Sequence, residues 1–232
     1  MSIRIFADGA KLEDMLSAYR GGTISGLTTN PTLMRQAGIT DYRAFAQTVL
    51  SHIKDMPISF EVFADDLPTM DRQAREIAAW GDNVYVKIPV TNTQRLSTAS
   101  LIHDLAKSGV KLNVTAILTL DQVRTVVAAL AHDVPAVVSV FAGRIADTGV
   151  DPVPLMREAL EICKAKPKAE LLWASPREVL NIYQADEIGC HIITVTPDLI
   201  KKLALKGKDL GQYSLETVEM FYRDATAAGF QI

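Results

Sequence analysis

One lysine lies where an amine nucleophile would be placed. Lys87 belongs to Val86-Lys87-Ile88-Pro89, near the end of an apolar run, Val84–Ile88, that is typical of a buried strand. Burial disfavours a charged ammonium, so a desolvated lysine can attack a ketone as the neutral amine and form a Schiff base. The resulting iminium is an electron sink for making or breaking a carbon–carbon bond. The alternative is structural, with Lys87 pairing with a carboxylate or extending its ammonium to solvent.

Polar residues close the other apolar runs of the chain. They are Asp8, Thr28, Asn30, Glu61, Asn113, Thr115, Ser139, Arg144, Ser175 and Arg177. Residues on one face of a strand differ by two positions, and the pairs that share a face are Thr28 with Asn30, Asn113 with Thr115, and Ser139 with Phe141. These groups would converge with the lysine on one pocket. Each also has a structural interpretation, as a turn or cap, as a backbone partner, or, for Glu61, as a neutralising charge for Lys87.

Eight short apolar runs alternate with amphipathic segments, and this alternation predicts a parallel sheet. The predicted strands are Ile3–Ala7, Gly26–Thr28, Ser59–Phe63, Val84–Ile88, Lys111–Thr115, Ala136–Phe141, Leu171–Ala174 and Ile192–Val195. The predicted helices include Asp71–Trp80, Thr93–Ser108, Leu120–Ala131, Val153–Lys166, Arg177–Asp186 and Pro197–Ala204. No GxGxxG follows the first run, which favours a (β/α)8 TIM barrel over a doubly wound sheet. Active sites of such barrels lie at the carboxyl ends of the strands.

The chain is expected to form a single barrel domain, 1–232, because no Pro-, Gly- or Ser-rich linker divides it. The segment 210–232 has its own apolar spacing, at Leu215, Val218, Phe221 and Tyr222. It is expected to be an extra C-terminal helix that packs on a neighbouring subunit, which would make the protein a homo-oligomer.

Composition and charge exclude several classes of partner. The net charge of −3 comes from interspersed signs, so neither a nucleic-acid stripe nor a polybasic membrane patch is present, and a small-molecule partner is expected. Cys163 and Cys190 follow apolar patterns, which predicts buried thiols. No leader-like segment begins the sequence, so a cytoplasmic location is expected. The four histidines are His52, His103, His132 and His191, and their pattern favours surface or core roles over metal ligation.

Three segments resemble the transaldolase family across essentially the whole chain. Gly26-Leu27-Thr28-Thr29-Asn30-Pro31-Thr32-Leu33-Met34 resembles its TTNP signature, and Val84-Tyr85-Val86-Lys87-Ile88-Pro89-Val90-Thr91 resembles its Schiff-base lysine motif. Val138-Ser139-Val140-Phe141-Ala142-Gly143-Arg144-Ile145 is similar to a third family segment. The chain length is similar to that of the short subfamily that includes fructose-6-phosphate aldolases.

The resemblance implies a class I aldolase barrel and a mechanism that needs no metal or other cofactor. By that resemblance, the catalytic residues would be Lys87 as nucleophile, Asp8 as acid and base, and Glu61 with Thr115 as holders of a proton-shuttling water. Substrate-binding residues would be Thr28, Asn30, Asn113, Ser139, Phe141, Arg144, Ser175 and Arg177. Sugar phosphates would be the partners, the pentose phosphate pathway the setting, and a pentameric or decameric ring the assembly.

Transfer of a dihydroxyacetone unit is favoured over its release. Aldolases of the family tend to have glutamine where this chain has Glu61 and tyrosine where it has Phe141, so both positions resemble transaldolases. The alternatives are a fructose-6-phosphate aldolase-like lyase, a transaldolase for an unusual or longer sugar, and a non-catalytic sugar-phosphate-binding barrel.

The chain departs from the family pattern at three places. Gly9 follows Asp8 where the family usually has Ser or Thr, and Asn92-Thr93-Gln94-Arg95 replaces a stretch leading to glycine. The segment Trp173-Ala174-Ser175-Pro176-Arg177 implies a shortened loop, in which Arg177 corresponds either to a phosphate-binding arginine or to one that starts a helix. Trp173 is expected to add bulk beside the pocket.

Overall fold

The structure, a computed structural model, describes residues 1–231. Its strands form a closed parallel barrel in the order β1 to β8. They are β1 Arg4–Asp8, β2 Gly26–Thr28, β3 Ile58–Glu61, β4 Val84–Pro89, β5 Leu112–Ile117, β6 Ala136–Val140, β7 Ala169–Trp173 and β8 Ile192–Val195. The predicted TIM barrel is confirmed, with each predicted strand matched to within two residues at either end.

The helices alternate with these strands. They are α1 Leu12–Arg20, α2 Pro31–Gln36, α3 Tyr42–His52, α4 Leu67–Ala78, α5 Ala99–Lys107, α6 Leu120–Ala129, α7 Ala142–Asp147, α8 Pro152–Cys163, α9 Leu180–Glu187, α10 Pro197–Lys202 and α11 Leu210–Ala228. A 3-10 turn covers Leu203–Leu205. The sequence prediction lacked α1, α2, α3 and α7.

One predicted helix begins later than expected. The segment Thr93–Ser108 was predicted to be helical throughout, but α5 begins at Ala99. Residues before it form a turn in which Thr91 and Ser97 pair antiparallel. Asp65 accepts hydrogen bonds from the Thr93 backbone N–H at 2.8 Å and from its hydroxyl at 2.6 Å. These contacts hold the turn and compete with the helix.

The interior of the barrel changes character along three of its strands. A buried apolar cluster is made of Phe6, Val137, Leu172, Ala174 and Ile192. Two positions further along three of these strands, on the same face, the residues are Asp8, Ser139 and Thr194. Along β1, β6 and β8, apolar side chains therefore lie below the polar ones, and the polar ones line a cavity at the carboxyl ends of the strands. Gly26 gives Phe6 room there, because a Cβ at position 26 would lie 2.4 Å from the Phe6 ring.

Helix ends and thiols agree with the sequence patterns. Thr119 caps α6 in a capping box with Gln122. Gly109, Gly149, Gly189 and Gly229 follow the ends of helices, and all four have positive φ. Cys163 and Cys190 are free and buried, and burial raises the pKa of each thiol to about 12.

The chain divides into two compact units, Met1–Leu199 and a second that starts at Ile200. The second unit contains α11. Asp209 caps the amino end of this helix, because its side chain accepts a hydrogen bond from the Gln212 N–H at 2.8 Å. Its apolar side chains Leu215, Val218, Phe221 and Tyr222 are exposed. The helix ends at Ala228, and Ile232 of the predicted segment lies outside the described residues. Packing on a neighbouring subunit stays a prediction.

Candidate active site

Lys87 lies at the centre of the barrel's carboxyl end and is 7% exposed. In the sheet it is level with Glu61 of β3 on one side and Asn113 of β5 on the other. Its Nζ donates to the Thr29 carbonyl at 2.8 Å and lies 3.2 Å from Glu61 Oε2. The TTNP segment therefore contacts the lysine directly, a contact that the sequence pattern did not reveal.

Glu61 is held in place through its backbone. The Glu61 N–H donates to the Tyr42 hydroxyl at 2.7 Å, and that hydroxyl donates to the Glu61 carbonyl at 2.9 Å. Tyr42 packs edge-on against Phe60, Phe63 and Trp80. Burial raises the pKa of Tyr42, so the phenol stays protonated and can make both bonds. The end of β3 is thus fixed while the Glu61 carboxylate remains directed to Lys87.

Asp8 ends β1 and accepts hydrogen bonds from β2 and from a residue just beyond it. The Thr28 hydroxyl donates to one carboxylate oxygen at 2.8 Å, and the Asn30 amide nitrogen lies 3.5 Å from the other. Desolvation raises the pKa of Asp8, while nearby Lys87 opposes that rise. Asn30 also caps α2, because its side-chain oxygen accepts from the Leu33 N–H at 3.0 Å. Asn30 therefore caps α2 and also contacts Asp8, and its role in binding substrate stays a prediction.

Thr194 belongs to the same network, and the sequence prediction missed it. Its hydroxyl contacts that of Thr28. Because the Thr28 proton is given to Asp8, Thr194 must be the donor in that contact, so the chain of donors runs from Thr194 to Thr28 to Asp8. The sequence did contain a signal for Thr194, because it is a polar residue near the end of an apolar run and on the same face as the buried Ile192.

A second network lies across the cavity on β3, β5 and β6. The Ser139 hydroxyl donates to Asn113 Oδ1 at 2.6 Å, and Asn113 Nδ2 donates to Ser59 Oγ at 2.9 Å. All three residues are at most 3% exposed. Ser59, two positions before Glu61, was not among the predicted site residues. The two bonds fix the Asn113 side chain in one orientation towards the cavity.

β5 breaks its register where it reaches the cavity. Its pairing with β6 shifts between Val114 and Ile117, and Ala116 has a φ of 63°. Such a left-handed conformation is unfavourable for a residue with a side chain, and it clusters at functional sites. Thr115, which is buried within this irregularity, lines the cavity wall.

The cavity has a volume of about 570 Å³, within the range of small-molecule sites. All the predicted site residues line it: Asp8, Thr28, Asn30, Glu61, Lys87, Asn113, Thr115, Ser139, Phe141, Arg144, Ser175 and Arg177. Thr32, Leu33, Gln36 and Leu118 are also on its wall. Trp173 is not, which corrects the expectation that it adds bulk there. Its neighbours Leu172 and Ala174 line the cavity, so alternation turns the fully buried Trp173 to the other face of β7.

Two arginines lie at the rim of the cavity, in different environments. Arg144 is exposed, and its guanidinium carbon lies 5.3 Å from the centre of the Phe141 ring. Arg177 precedes α9 and is hydrogen-bonded through its guanidinium to Asp147. The guanidinium forks suit a phosphate group, the chemistry predicted for this end of the site.

Comparison with known proteins identifies the family of the chain. The family described as Transaldolase/Fructose-6-phosphate aldolase matches residues 5–232. A probable transaldolase of Dehalococcoides mccartyi is 37% identical over 194 residues, covering 83% of this chain and 86% of the relative. A probable transaldolase of Thermoanaerobacter sp. (strain X514) is 33% identical over 235 residues, covering 99% and 100%.

Solved structures resemble the chain in fold alone. The crystal structure of 2,3-dimethylmalate lyase has a TM-score of 0.58 at 15% identity, covering 97% of this chain and 84% of that one. The crystal structure of KGPDC from Streptococcus mutans has a TM-score of 0.57 at 11% identity, covering 84% and 88%. Among residues 1–231, none of the helices combines the length and apolar character that crossing a membrane requires.

Proposed function

The chain belongs to the transaldolase/fructose-6-phosphate aldolase family, and from this premise we propose that it is a Schiff-base transaldolase. It would transfer a dihydroxyacetone unit from a ketose phosphate, fructose 6-phosphate or sedoheptulose 7-phosphate, to an aldose phosphate. The observation that carries the proposal is the position of Lys87, which is 7% exposed and 3.2 Å from a carboxylate inside a polar cavity.

Lys87 begins the reaction by attacking the ketone carbon of the donor. The attacking amine must be neutral, and Glu61 is within reach to take the ammonium proton. The carbinolamine then loses water to give an iminium, which bonds Nζ to the former carbonyl carbon. We assign Glu61 and Thr115 the binding of the water that carries protons in this step and in the final hydrolysis.

Asp8 is assigned the proton of the hydroxyl at the bond that breaks. Taking that proton turns the hydroxyl carbon into an aldehyde, and the electron pair of the carbon–carbon bond moves into the iminium to give an enamine. The same carboxyl returns a proton when the enamine attacks the acceptor aldehyde. Desolvation supports this role, because a raised pKa brings the carboxyl closer to the range in which it exchanges protons efficiently.

The network of Asn113 and Ser139 would hold the hydroxyls of the bound dihydroxyacetone unit. Asn113 has one amide N–H beyond the bond to Ser59, and its orientation is already fixed. Asn30 and Thr28 hold Asp8 on the opposite wall. Such prior fixing keeps the enamine in a reactive geometry until the acceptor arrives.

The phosphate of the sugar would bind at the rim, to Arg144, Arg177 and Ser175. All three residues line the cavity. Two guanidinium groups can make charge-assisted hydrogen bonds to several phosphate oxygens at once. This assignment also supports sugar phosphates, rather than free sugars, as the substrate class.

Transfer is favoured over release because of two residues on the wall. An anionic Glu61 beside the iminium would stabilise the covalent state, and Phe141 offers no hydroxyl to protonate the enamine. A lyase of the fructose-6-phosphate aldolase kind is the second candidate. An enzyme for an unusual or longer sugar is compatible with the same site.

Replacing Phe141 with Tyr should shift this partition. We expect free dihydroxyacetone release, relative to transfer, to rise about three- to tenfold, since a well-placed proton donor contributes at least this much. The ratio is measured from both products of one reaction mixture. Phe141→Leu serves as the control for lost ring packing, and an unchanged ratio in Phe141→Tyr would contradict the assignment.

Two experiments test the proposed function. Borohydride reduction in the presence of fructose 6-phosphate should leave a stable adduct on Lys87, located by peptide mass spectrometry. Product analysis with and without erythrose 4-phosphate then separates the candidates. Sedoheptulose 7-phosphate formed only with the acceptor supports transfer, free dihydroxyacetone without it supports the lyase, and no adduct supports a non-catalytic binder.

A further inference from the structure

Helix α7 contributes two charged residues near the rim, and only one of them reaches the cavity. Arg144 lines the cavity, whereas Asp147, three positions later, is not among its lining residues. Asp147 instead accepts two hydrogen bonds from Arg177, from Nε to Oδ1 at 2.9 Å and from Nη2 to Oδ2. The carboxylate therefore holds one edge of a guanidinium whose side chain lines the site.

We propose that Asp147 is a positioning residue for the phosphate end of the site, acting through Arg177. This inference rests on the proposed function, in which Arg177 binds phosphate. Asp147 occupies the N–H of Nε and one N–H of Nη2, so both N–H groups of Nη1 and the second of Nη2 remain for a ligand. A free arginine has many rotamers, and holding it in advance reduces the entropy lost on binding.

The surrounding backbone fixes the distance between α7 and the Arg177 segment. Gly143 packs so closely on this segment that a Cβ would lie 1.5 Å from the Ser175 carbonyl oxygen. Ser175 itself has a φ of 62°, and the Gly143 N–H donates to the Ala174 carbonyl at 3.3 Å. The Arg177 N–H donates to Asn181 Oδ1 at 2.8 Å. Arg177 is thus held at its backbone by α9 and at its guanidinium by α7.

Two roles for Asp147 agree with the charges at the rim, competition with phosphate and positioning of Arg177. The two hydrogen bonds that hold the Arg177 guanidinium favour positioning. As a competitor, Asp147 would occupy the guanidinium until phosphate displaced it, and its removal would tighten binding. As a positioning residue, it remains in place while phosphate binds the free N–H groups. Arg177 lowers the pKa of Asp147, so the carboxylate stays ionised at neutral pH and keeps both bonds to the guanidinium.

The test compares Asp147→Asn with a matched control, Glu178→Gln. Glu178 is an exposed acid adjacent to Arg177 in the sequence, and it makes neither of the two guanidinium bonds. Both variants remove one negative charge near the rim. We expect Asp147→Asn to raise the KM for fructose 6-phosphate and the Kd for inorganic phosphate, measured by calorimetry, about three- to tenfold. The kcat should stay within about twofold, and Glu178→Gln should match the wild type.

A double-mutant cycle separates positioning from a general structural effect. In an Arg177→Ala background, Asp147→Asn should cause no further loss, because its effect passes through the arginine. Borohydride trapping of Lys87 with unphosphorylated dihydroxyacetone should be equal in all variants. Unchanged or tighter phosphate binding in Asp147→Asn, or an equal further loss without Arg177, would overturn the proposal. Missing Lys87 adducts in the wild type would instead contradict the proposed function, and calorimetry with phosphate would still test Asp147.

Discussion

Two ion pairs of this protein have the same chemical character but very different solvent exposure. The side chains of Lys87 and Glu61 are 9% and 16% exposed, whereas those of Arg177 and Asp147 are 47% and 49% exposed. Desolvation makes a buried charge dependent on its partner, and water screens an exposed pair so that it adds little stability. Burial therefore suits the first pair to its proposed role in the reaction, and exposure suits the second to the proposed positioning of Arg177.

Removing the buried cation should produce the largest effect. Lys87→Met deletes the nucleophile and leaves Glu61 without its cation, so turnover should fall at least roughly 10⁴-fold. The unfolding free energy should also fall, by roughly 3 kcal/mol, as for other broken buried pairs. Urea denaturation and the transfer assay measure the two effects. The double variant Lys87→Met with Glu61→Gln should regain most of the stability and none of the activity; turnover in either variant would refute the assignment.

Asp8→Asn, a change next to the buried pair, should lower activity while raising stability. Desolvation raises the pKa of Asp8 above its ordinary value, despite Lys87 and with Glu61 adding to the rise. A carboxyl with a raised folded pKa stabilises the protein at pH below its unfolded pKa, and that contribution is lost as pH rises through the folded pKa. At pH 7, above the unfolded pKa, this carboxyl therefore lowers the stability of the folded protein, and the variant, which has no ionisable group there, should have the higher Tm.

That Tm advantage should shrink as the pH is lowered towards about 4, the unfolded pKa of an aspartate. Cleavage should fall about 10²- to 10⁴-fold, as expected for loss of an acid–base group, while borohydride trapping of Lys87 persists. Thermal scans across pH, with trapping by mass spectrometry, measure both. A lower Tm of the variant at pH 7 would contradict the effect of Asp8 on stability. Loss of the Lys87 adduct would contradict its role as the acid and base of the cleavage step.

Arg144→Ala should affect recognition and spare the covalent chemistry. Loss of charge-assisted hydrogen bonds to phosphate is expected to raise the KM for fructose 6-phosphate roughly 10- to 100-fold. Trapping with unphosphorylated dihydroxyacetone should stay unchanged, because Arg144 lies at the rim. Arg124→Ala, which removes an exposed arginine paired within α6, is the matched control. Equal losses with both donors would place Arg144 outside the phosphate site.

The smallest effect is expected from salt. Raising NaCl from about 50 mM to about 500 mM shortens the screening length from roughly 14 Å to roughly 4 Å. The KM for a phosphorylated donor should rise about three- to tenfold, since the rim is exposed, while kcat should stay within about twofold. Trapping rates with dihydroxyacetone provide the control. A fall in kcat as large as the rise in KM would mean that the buried pair is screened too.

The strand-end positions were largely predictable because the period of a strand is two. Asp8, Lys87, Asn113 and Ser139 close or follow apolar runs, and each lines the cavity. Elements with short or mixed patterns were not predictable. Helix α7, six residues long, is one of these, and the turn before α5 is held by Asp65, which is distant from it in sequence. At both places the backbone conformation is determined by tertiary contacts rather than by the local secondary-structure propensity.

The contacts between site residues also required the structure. Ser59 and Thr194 are small polar residues in apolar runs, and alternation shows the face on which each lies but not the residue that it contacts. Their roles come from distant neighbours, Asn113 at a separation of 54 residues and Thr28 at a separation of 166. Asp147 likewise meets Arg177 across 30 residues. Contacts between residues so far apart in the sequence leave no periodic pattern from which they could be predicted.

The sequence by itself determined which side chains face the interior, because alternating strands in a chain of this length can bury their apolar runs only in a closed, helix-covered sheet. It thereby determined that Lys87 and its polar neighbours share one end of the barrel. Only the tertiary structure decided which groups pair: Lys87 with Glu61 and Thr29, Arg177 with Asp147. Pairing depends on distances and burial that are set by barrel closure, and burial also sets how strongly each charge depends on its partner.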